Sequence, residues 1–294
     1  MFLIELIASS LRMAVPIILT AIGAVYTERA GVVNIGLEGM MIVGSFWGAL
    51  GSYYFGPYVG FLFAMAAGAF LALIHAIATV TFRVDQIVSG VALNILAYGS
   101  SRFLSQAFFK MATTTPHVNG LFKLKIPLLG ETSPVIILAL ILVPVAGYIL
   151  EKTVFGLRLR SVGENPLAAD TLGINVFKMK YAGVIISGVL AGLAGAYLAL
   201  EHTGMYVEGM TQGKGYIALA AMIFGNWTPK GALWASLLFG FAESLSFRVV
   251  QNAVIPYQFI KMIPYVLTLA VLAGVVRKST PPAADGVPYE RGTK

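Results

Sequence analysis

Apolar residues occupy this chain in long blocks, and polar residues fall between them. Residues 39–82 contain no Asp, Glu, Lys or Arg, and neither do residues 181–200. A helix needs roughly 20 apolar residues to cross the hydrocarbon core of a bilayer. On that measure the pattern predicts membrane helices near 11–26, 35–55, 58–81, 87–109, 133–151, 181–201, 215–228, 231–251 and 257–276. Small residues recur at helical spacing in two of them. Gly60, Ala64, Gly68 and Ala72 share one face, and Gly188, Gly192 and Ala196 share another. Such faces let helices approach closely in lipid. The expected fold is all-α, a polytopic transmembrane helix bundle of about 8–10 spans with interrupted helices. It fills residues 1–278, and the polar, Pro-rich residues 279–294 are expected to form a disordered cytoplasmic tail.

The polar interruptions carry more information than the spans. Residues 152–180 form a basic segment holding Lys152, Arg158, Arg160, Lys178 and Lys180. A loop this basic is expected on the cytoplasmic side, where Arg29, Arg83, Lys230, Arg277 and Lys278 then also fall. Residues 110–132 and the turn Phe55-Gly56-Pro57 face outside; Lys110, Lys123, Lys125 and Lys261 there weaken the bias without reversing it. Within 152–180, Asn165 is a good N-cap, Pro166 suits the first helical position, and Gly173 suits a left-handed C-cap. A helix this short is unstable alone, so it must dock on something. It is either a handle for a soluble partner or an ordinary loop with one helical turn.

Two segments read as helix breaks, Glu28–Gly39 and Phe224–Gly231, one in each half. Paired breaks point to a transport pathway. Irregular backbone at membrane depth persists only when buried in protein or facing a water-filled cavity. The competing reading is a pair of tight cytoplasmic turns. Glu38 lies inside the apolar run beyond the first break, which favours the pathway there. A charge near the centre of a membrane helix costs at least about 2.5–3.5 kcal/mol. Glu38 and Glu243 are therefore candidates for lining a polar cavity, or for a structural role. Arg102, Glu201 and Arg248 lie near predicted helix ends and are expected to snorkel; Arg83 and Asp85 are expected to pair. Gln86, Ser89 or Gly90, and Asn94 share one helical face, either an interhelical hydrogen-bond seam or a pathway wall. The candidate pathway set is Asn34, Glu38, Gln86, Asn94 and Asn226.

Composition narrows the function classes. Only 11% of residues are charged and 58% are hydrophobic, against about 25% charged in soluble domains. The chain reads as an integral membrane protein without a cleavable signal. With no cysteine, disulfide frameworks, thiol catalysis and Cys-based metal sites are excluded. The net charge of +7 fits cytoplasmic loops and anionic lipid headgroups, not nucleic acid. His75, His117 and His202 lack metal-ligand spacing, and His75 is expected to be a packed, hydrogen-bonded histidine. Gly209–Gly215 lacks the spacing of a phosphate loop, so the chain carries no nucleotide-binding motor of its own.

Three segments, ERAGVVNIGLEGMM at 28–41, FRVDQIVSGVALNILAYG at 82–99 and LRSVGENPLAADTLGINVFKMKYAGVIISGVLAGLAGAYL at 159–198, carry a family likeness. The chain resembles the permease subunits of bacterial ABC importers, in the group serving branched-chain amino acids, ribose-type sugars and nucleosides. NIGLEG at 34–39 is similar to the nucleoside and simple-sugar branch. The resemblance implies alternating access in the cell inner membrane, and no enzyme site on this chain. It also implies a coupling helix for the ATPase, here Gly163, Glu164, Asn165, Pro166, Leu167, Ala168, Asp170, Thr171 and Gly173. Implied partners are an ABC ATPase subunit carrying ATP and Mg, a second and longer permease chain, an extracytoplasmic substrate-binding protein, and membrane lipid. This chain itself is expected to bind no cofactor, metal or nucleic acid. The alternatives are a branched-chain amino acid permease of the same group, or a secondary transporter, which would need its own coupling-ion site. A membrane-embedded enzyme lacks a nucleophile–base pair or metal cluster.

Overall fold

The computed structural model describes residues 2–126, 130–250, 262, 266 and 280–290. Within them the regular elements are helices apart from one short hairpin. In chain order the elements are α1 (Phe2–Arg29), α2 (Leu37–Phe55), α3 (Pro57–Ala76), α4 (Gln86–Phe109), a hairpin β1 (Leu124–Ile126) and β2 (Gly130–Thr132), α5 (Pro134–Lys152), α6 (Val154–Glu164), α7 (Pro166–Thr171), α8 (Val176–Ala196), α9 (Lys214–Phe224) and α10 (Pro229–Val250). Widened π-helical turns extend α3 over Ile77–Thr81 and α8 over Tyr197–Thr203. Among the described residues, five helices are long and apolar enough to cross a membrane: Ile4–Arg29, Pro57–Thr81, Gln86–Phe109, Pro134–Lys152 and Val176–Thr203. The span expected near 257–276 lies outside the described residues.

Local chemistry sets the helix starts. Asp85 accepts from the Val88 amide at 2.9 Å and caps α4, so it does not pair with Arg83, which instead meets Glu290. Ser133, Thr153, Asn165 and Asn175 cap α5, α6, α7 and α8 through their side-chain oxygens. Each cap satisfies an amide that the helix cannot satisfy itself.

The packing centre is the trio α2, α3 and α8. The two small-residue faces read from the sequence meet each other there. A side chain at Gly188 would strike Ala72 and Gly68, and one at Gly192 would strike Ala64. Helix α2 closes the trio, with Gly44 against Gly192 and Gly48 against Ala196. In lipid there is no hydrophobic drive between helices, so this backbone-to-backbone approach supplies the dispersion contacts that hold them. Helix α1 packs against α8 and α10, with Ile17, Ile18, Leu19 and Ile22 fully buried.

Three expectations change. The element expected over 215–228 is α9, only 11 residues long. At 1.5 Å per residue it rises about 16 Å, half of the roughly 30 Å core, so it is a half-helix. The basic segment holds a second helix, α6, before α7. Finally, residues 280–290 are not a free tail. They lie against the basic end of the bundle as a strap, with Ala284 and Tyr289 buried. Their composition favours turns over regular elements, and long-range hydrogen bonds supply the order that composition alone does not.

Candidate functional site

The first break begins where Gly31, at φ 76°, ends α1. The irregular residues that follow need partners for their backbone groups, and side chains of α3 and α4 provide them, while α8 binds the Asn34 side chain. The Val33 amide donates to Gln86 Oε1 at 2.6 Å. His75 bridges the Val33 carbonyl at 3.1 Å and Ser89 Oγ at 3.0 Å. Asn34 Nδ2 donates to Ser187 Oγ at 2.9 Å. Asn94 accepts from the Gly39 amide at 2.7 Å and donates to the Ile35 carbonyl at 3.1 Å and the Tyr216 hydroxyl at 2.8 Å. Gly90 is needed because a side chain there would meet the Gly36 nitrogen at 2.8 Å.

The polar stripe of α4 is thus an interhelical seam that lets the chain run irregularly inside the bundle. Asn34, Glu38, Gln86 and Asn94 come together as expected, but at 0%, 1%, 5% and 4% exposure none presents an open wall. The half-exposed polar ends of the seam are Tyr98, four residues beyond Asn94 on the same α4 face and left out of the stripe read from the sequence, and Tyr216, which no spacing singles out. His75 is the packed histidine the sequence suggested.

Glu38 does not cap the helix on which it sits. Its Oε1 accepts from Thr211 Oγ1 at 2.6 Å and the Gly213 amide at 2.9 Å, and its Oε2 from the Gly215 amide at 2.7 Å. The carboxylate therefore sits on the N-terminus of α9, where the free amides and the helix dipole favour an anion. Gly209–Gly215 does bind an anion through its backbone, but the anion is a side chain of the same protein.

On the other flank of α9, Lys214 Nζ pairs with Glu243 Oε1 at 2.6 Å, both largely buried. This pair borders a cavity of about 350 Å³ that also meets Arg12, His202 and Gln212. Glu243 is thus a cavity-lining acid with a structural partner. Arg102 pairs with Glu208 at 3.3 Å, and Glu201 accepts from the Leu121 amide at 2.6 Å; neither simply reaches for solvent.

The second break is a tight turn. Asn226 and Trp227 have φ values of 50° and 53°. Trp227 Nε1 donates to Glu28 at 2.6 Å, and Arg29 Nε donates to the Trp227 carbonyl at 2.9 Å. Asn226 is exposed and accepts from the Thr280 amide at 2.9 Å. It stands at the opposite end of α9 from Glu38, so it is not part of the seam. Asn226 tolerates positive φ, whereas Gly225 and Gly231 allow close approach, since a Cβ at Gly231 would strike the Gly225 carbonyl oxygen.

Helix α7 forms with the caps read from the sequence. Asn165 Oδ1 accepts from the Ala168 amide at 3.0 Å, and Gly173 has φ 79°. Ala169, 2% exposed, fixes α7 to Val162 and Val176. Leu167 and Leu172, at 47% and 81% exposure, point away from the chain, and Ala168 and Thr171 are also exposed. Gly163 packs on the Arg29 carbonyl, and Glu164 lies 3.9 Å from Arg29. Lys180, read as a loop cation, is 2% exposed and donates to the carbonyls of Gly31 at 3.1 Å and Val287 at 3.2 Å. Beside it, burial pushes the Asp285 carboxyl up to about 6, opposed by its hydrogen bond with Glu28, the Gly286 amide and the Lys180 charge.

The model for the branched-chain amino acid transport system permease component family matches residues 6–272. The chain is 45% identical to the guanosine ABC transporter permease protein NupQ of Bacillus subtilis, over 98% of this chain and 97% of that one. It is 43% identical to the nucleoside ABC transporter permease protein NupC of Lactococcus lactis, over 97% and 96%. It is 34% identical to the putative glucose ABC transporter permease protein TsgC13 of Haloferax volcanii, over 94% and 92%.

Proposed function

This chain belongs to the family of branched-chain amino acid transport system permease components, and we propose that it is the permease subunit of an ATP-driven importer for a nucleoside or related simple sugar. It is a multi-pass protein of the cell membrane. The observation that carries the solute class is likeness along nearly the whole chain to permeases named for guanosine and nucleosides. The likeness to a permease named for glucose favours keeping simple sugars within the class.

ATP, with Mg, is hydrolysed on a partner ATPase that seats on the segment Gly163 to Gly173 through the exposed face of α7. A second, longer permease chain and an extracytoplasmic binding protein complete the importer. The binding protein supplies most of the selectivity, and this chain needs only weak, adaptable polar contacts. Asn34, Glu38, Gln86 and Asn94 frame the pathway from behind. They hold the first break and the half-helix α9 in place, while Tyr98 and Tyr216 offer hydroxyls and ring faces to the solute. A phenol can donate or accept a hydrogen bond, which suits a neutral ligand. Asn226 acts outside the pathway, at the turn joining α9 to α10.

Uptake of a labelled nucleoside by cells expressing the complete importer tests the solute class. Competition by unlabelled nucleosides or pentoses is expected. Competition by leucine or isoleucine alone would move the chain to the amino acid branch.

A further inference from the structure

Residues 280–290 touch each part of the basic end that alternating access must move. The Thr280 amide donates to Asn226 in the α9–α10 turn at 2.9 Å. The Ala284 amide donates to the Gly163 carbonyl at the end of α6 at 2.9 Å. On its other side the Ala284 carbonyl lies over Gly31, 3.1 Å from where a Cβ would stand. The buried Asp285 carboxyl faces the Glu28 carboxyl of α1. The Tyr289 ring packs edge-on against Phe177 at 5.6 Å and joins Val162, Ala169 and Val176 in a small apolar cluster. Glu290 pairs with Arg83 in the α3–α4 turn.

These contacts are built, not incidental. The Gly163 carbonyl is one of the last in α6 and has no partner within the helix, and the strap supplies one. The buried Lys180 ammonium needs acceptors, and the strap provides the Val287 carbonyl opposite that of Gly31. Asp285-Gly286 turns the strap sharply, with Gly286 at φ 75°, so that Tyr289 reaches the underside of α7.

Resting on the permease reading above, we propose that residues 280–290 are a coupling strap. They tie the α6–α7 loop, which seats on the ATPase, to the break at Gly31–Ile35, which shapes the pathway. When the ATPase moves α7, Tyr289 and Ala284 carry that displacement to Gly31 and Glu28. Tyr289 and Asp285 are positioning residues, acting through α7 and α1 and touching no solute.

The test uses the complete importer in proteoliposomes, with ATP hydrolysis and uptake measured together. Three forms are compared with the parent: Tyr289→Ser, Tyr289→Phe, and a chain ending at Lys278. The strap predicts that Tyr289→Ser and the shortened chain still assemble with the ATPase and hydrolyse ATP. Uptake per ATP falls about tenfold, the scale of a typical coupling energy. Tyr289→Phe keeps the ring and restores the parent ratio. An unchanged ratio in the shortened chain overturns the proposal. So does failure of the shortened chain to hold the ATPase, because the strap would then be docking scaffold and not a link. A parent complex that shows no ATP-driven uptake would instead overturn the permease reading, independently of the strap.

Discussion

The Gly215 amide donates to Glu38 Oε2 at 2.7 Å, joining the start of α9 to the first turn of α2 across 177 residues of sequence. Two further donors, Thr211 and Gly213, converge on the other oxygen. An intramembrane carboxylate survives here because each of its oxygens is occupied by donors fixed in the turn that enters α9 or in its first residues.

Glu38→Gln is therefore more than a charge removal. The amide can keep one oxygen for Thr211 and Gly213, but its NH2 then faces the Gly215 amide, donor against donor. The expected loss is about 1–3 kcal/mol, the cost of leaving a buried donor unpaired. Thermal unfolding of the purified chain in detergent measures it, and a midpoint equal to the parent would end the case for Glu38 as the cap of α9. Gly215→Ala should do similar damage, since its Cβ would lie 2.5 Å from Glu38 Cα.

Glycine positions separate into two classes. Gly192→Ala would press on the Ala64 carbonyl, and overpacking of this kind costs about 1–3 kcal/mol. At Gly99 an added methyl would find nothing within 4 Å, so Gly99→Ala is expected to be neutral or to stabilise by up to about 1 kcal/mol through helix propensity. Paired melting curves of the two variants check this; equal effects would contradict the close approach of α3 and α8.

Much of this arrangement is readable in the chain itself. The small-residue faces of α3 and α8, the caps on α7 and the polar stripe on α4 follow from local spacing, which depends on residues within one or two turns. What is not readable depends on partners far away in sequence. Glu38 looks like a pathway acid until Gly213 and Gly215 are brought to it. Lys180 looks like a loop cation until Gly31 and Val287 supply acceptors. Asn226 looks like part of a membrane break until Trp227 is seen folded back on Glu28. The strap is the extreme case, because Pro, Ala, Asp and Gly encode turns but not the surface that orders them.

Lys214 and Glu243 form a largely buried pair at 2.6 Å. Removing one partner, as in Lys214→Met, leaves an uncompensated charge and should cost about 3–5 kcal/mol. Adding Glu243→Leu to Lys214→Met should recover most of that loss. A double-mutant cycle on unfolding midpoints gives the coupling; strictly additive losses would show that the two charges do not support each other.

Docking of the strap should depend on pH through Asp285. Its carboxyl is raised from 3.8 to about 6, chiefly by burial, so the docked strap favours the protonated form. That contribution is fully present below about pH 4 and is lost as pH rises through about 6. Glu28 and Lys180 are the ionisable groups facing it. Hydrogen exchange at the amides of 283–287, corrected for intrinsic rates, should show protection falling across that window. Asp285→Asn should change the curve, with the facing Glu28 carboxyl still in place, and a flat curve in the parent would contradict the burial of Asp285.

The exposed face of α7 predicts its own footprint. Single cysteines at Ala168 and Thr171, in a chain that has none, should react with a thiol reagent freely and be shielded when the ATPase is bound. Leu167→Asp should leave the chain in the membrane while separating ATP hydrolysis from transport. Equal labelling with and without the ATPase would place the contact elsewhere.

The most direct measurement is nucleoside uptake by proteoliposomes containing this chain, its partner permease and the ATPase, with the binding protein added outside. Uptake is expected when ATP is enclosed and none with the non-hydrolysable analogue, and no uptake by this chain alone under a proton or sodium gradient. Gradient-driven uptake by the chain alone, with no response to ATP in the full assembly, would contradict it.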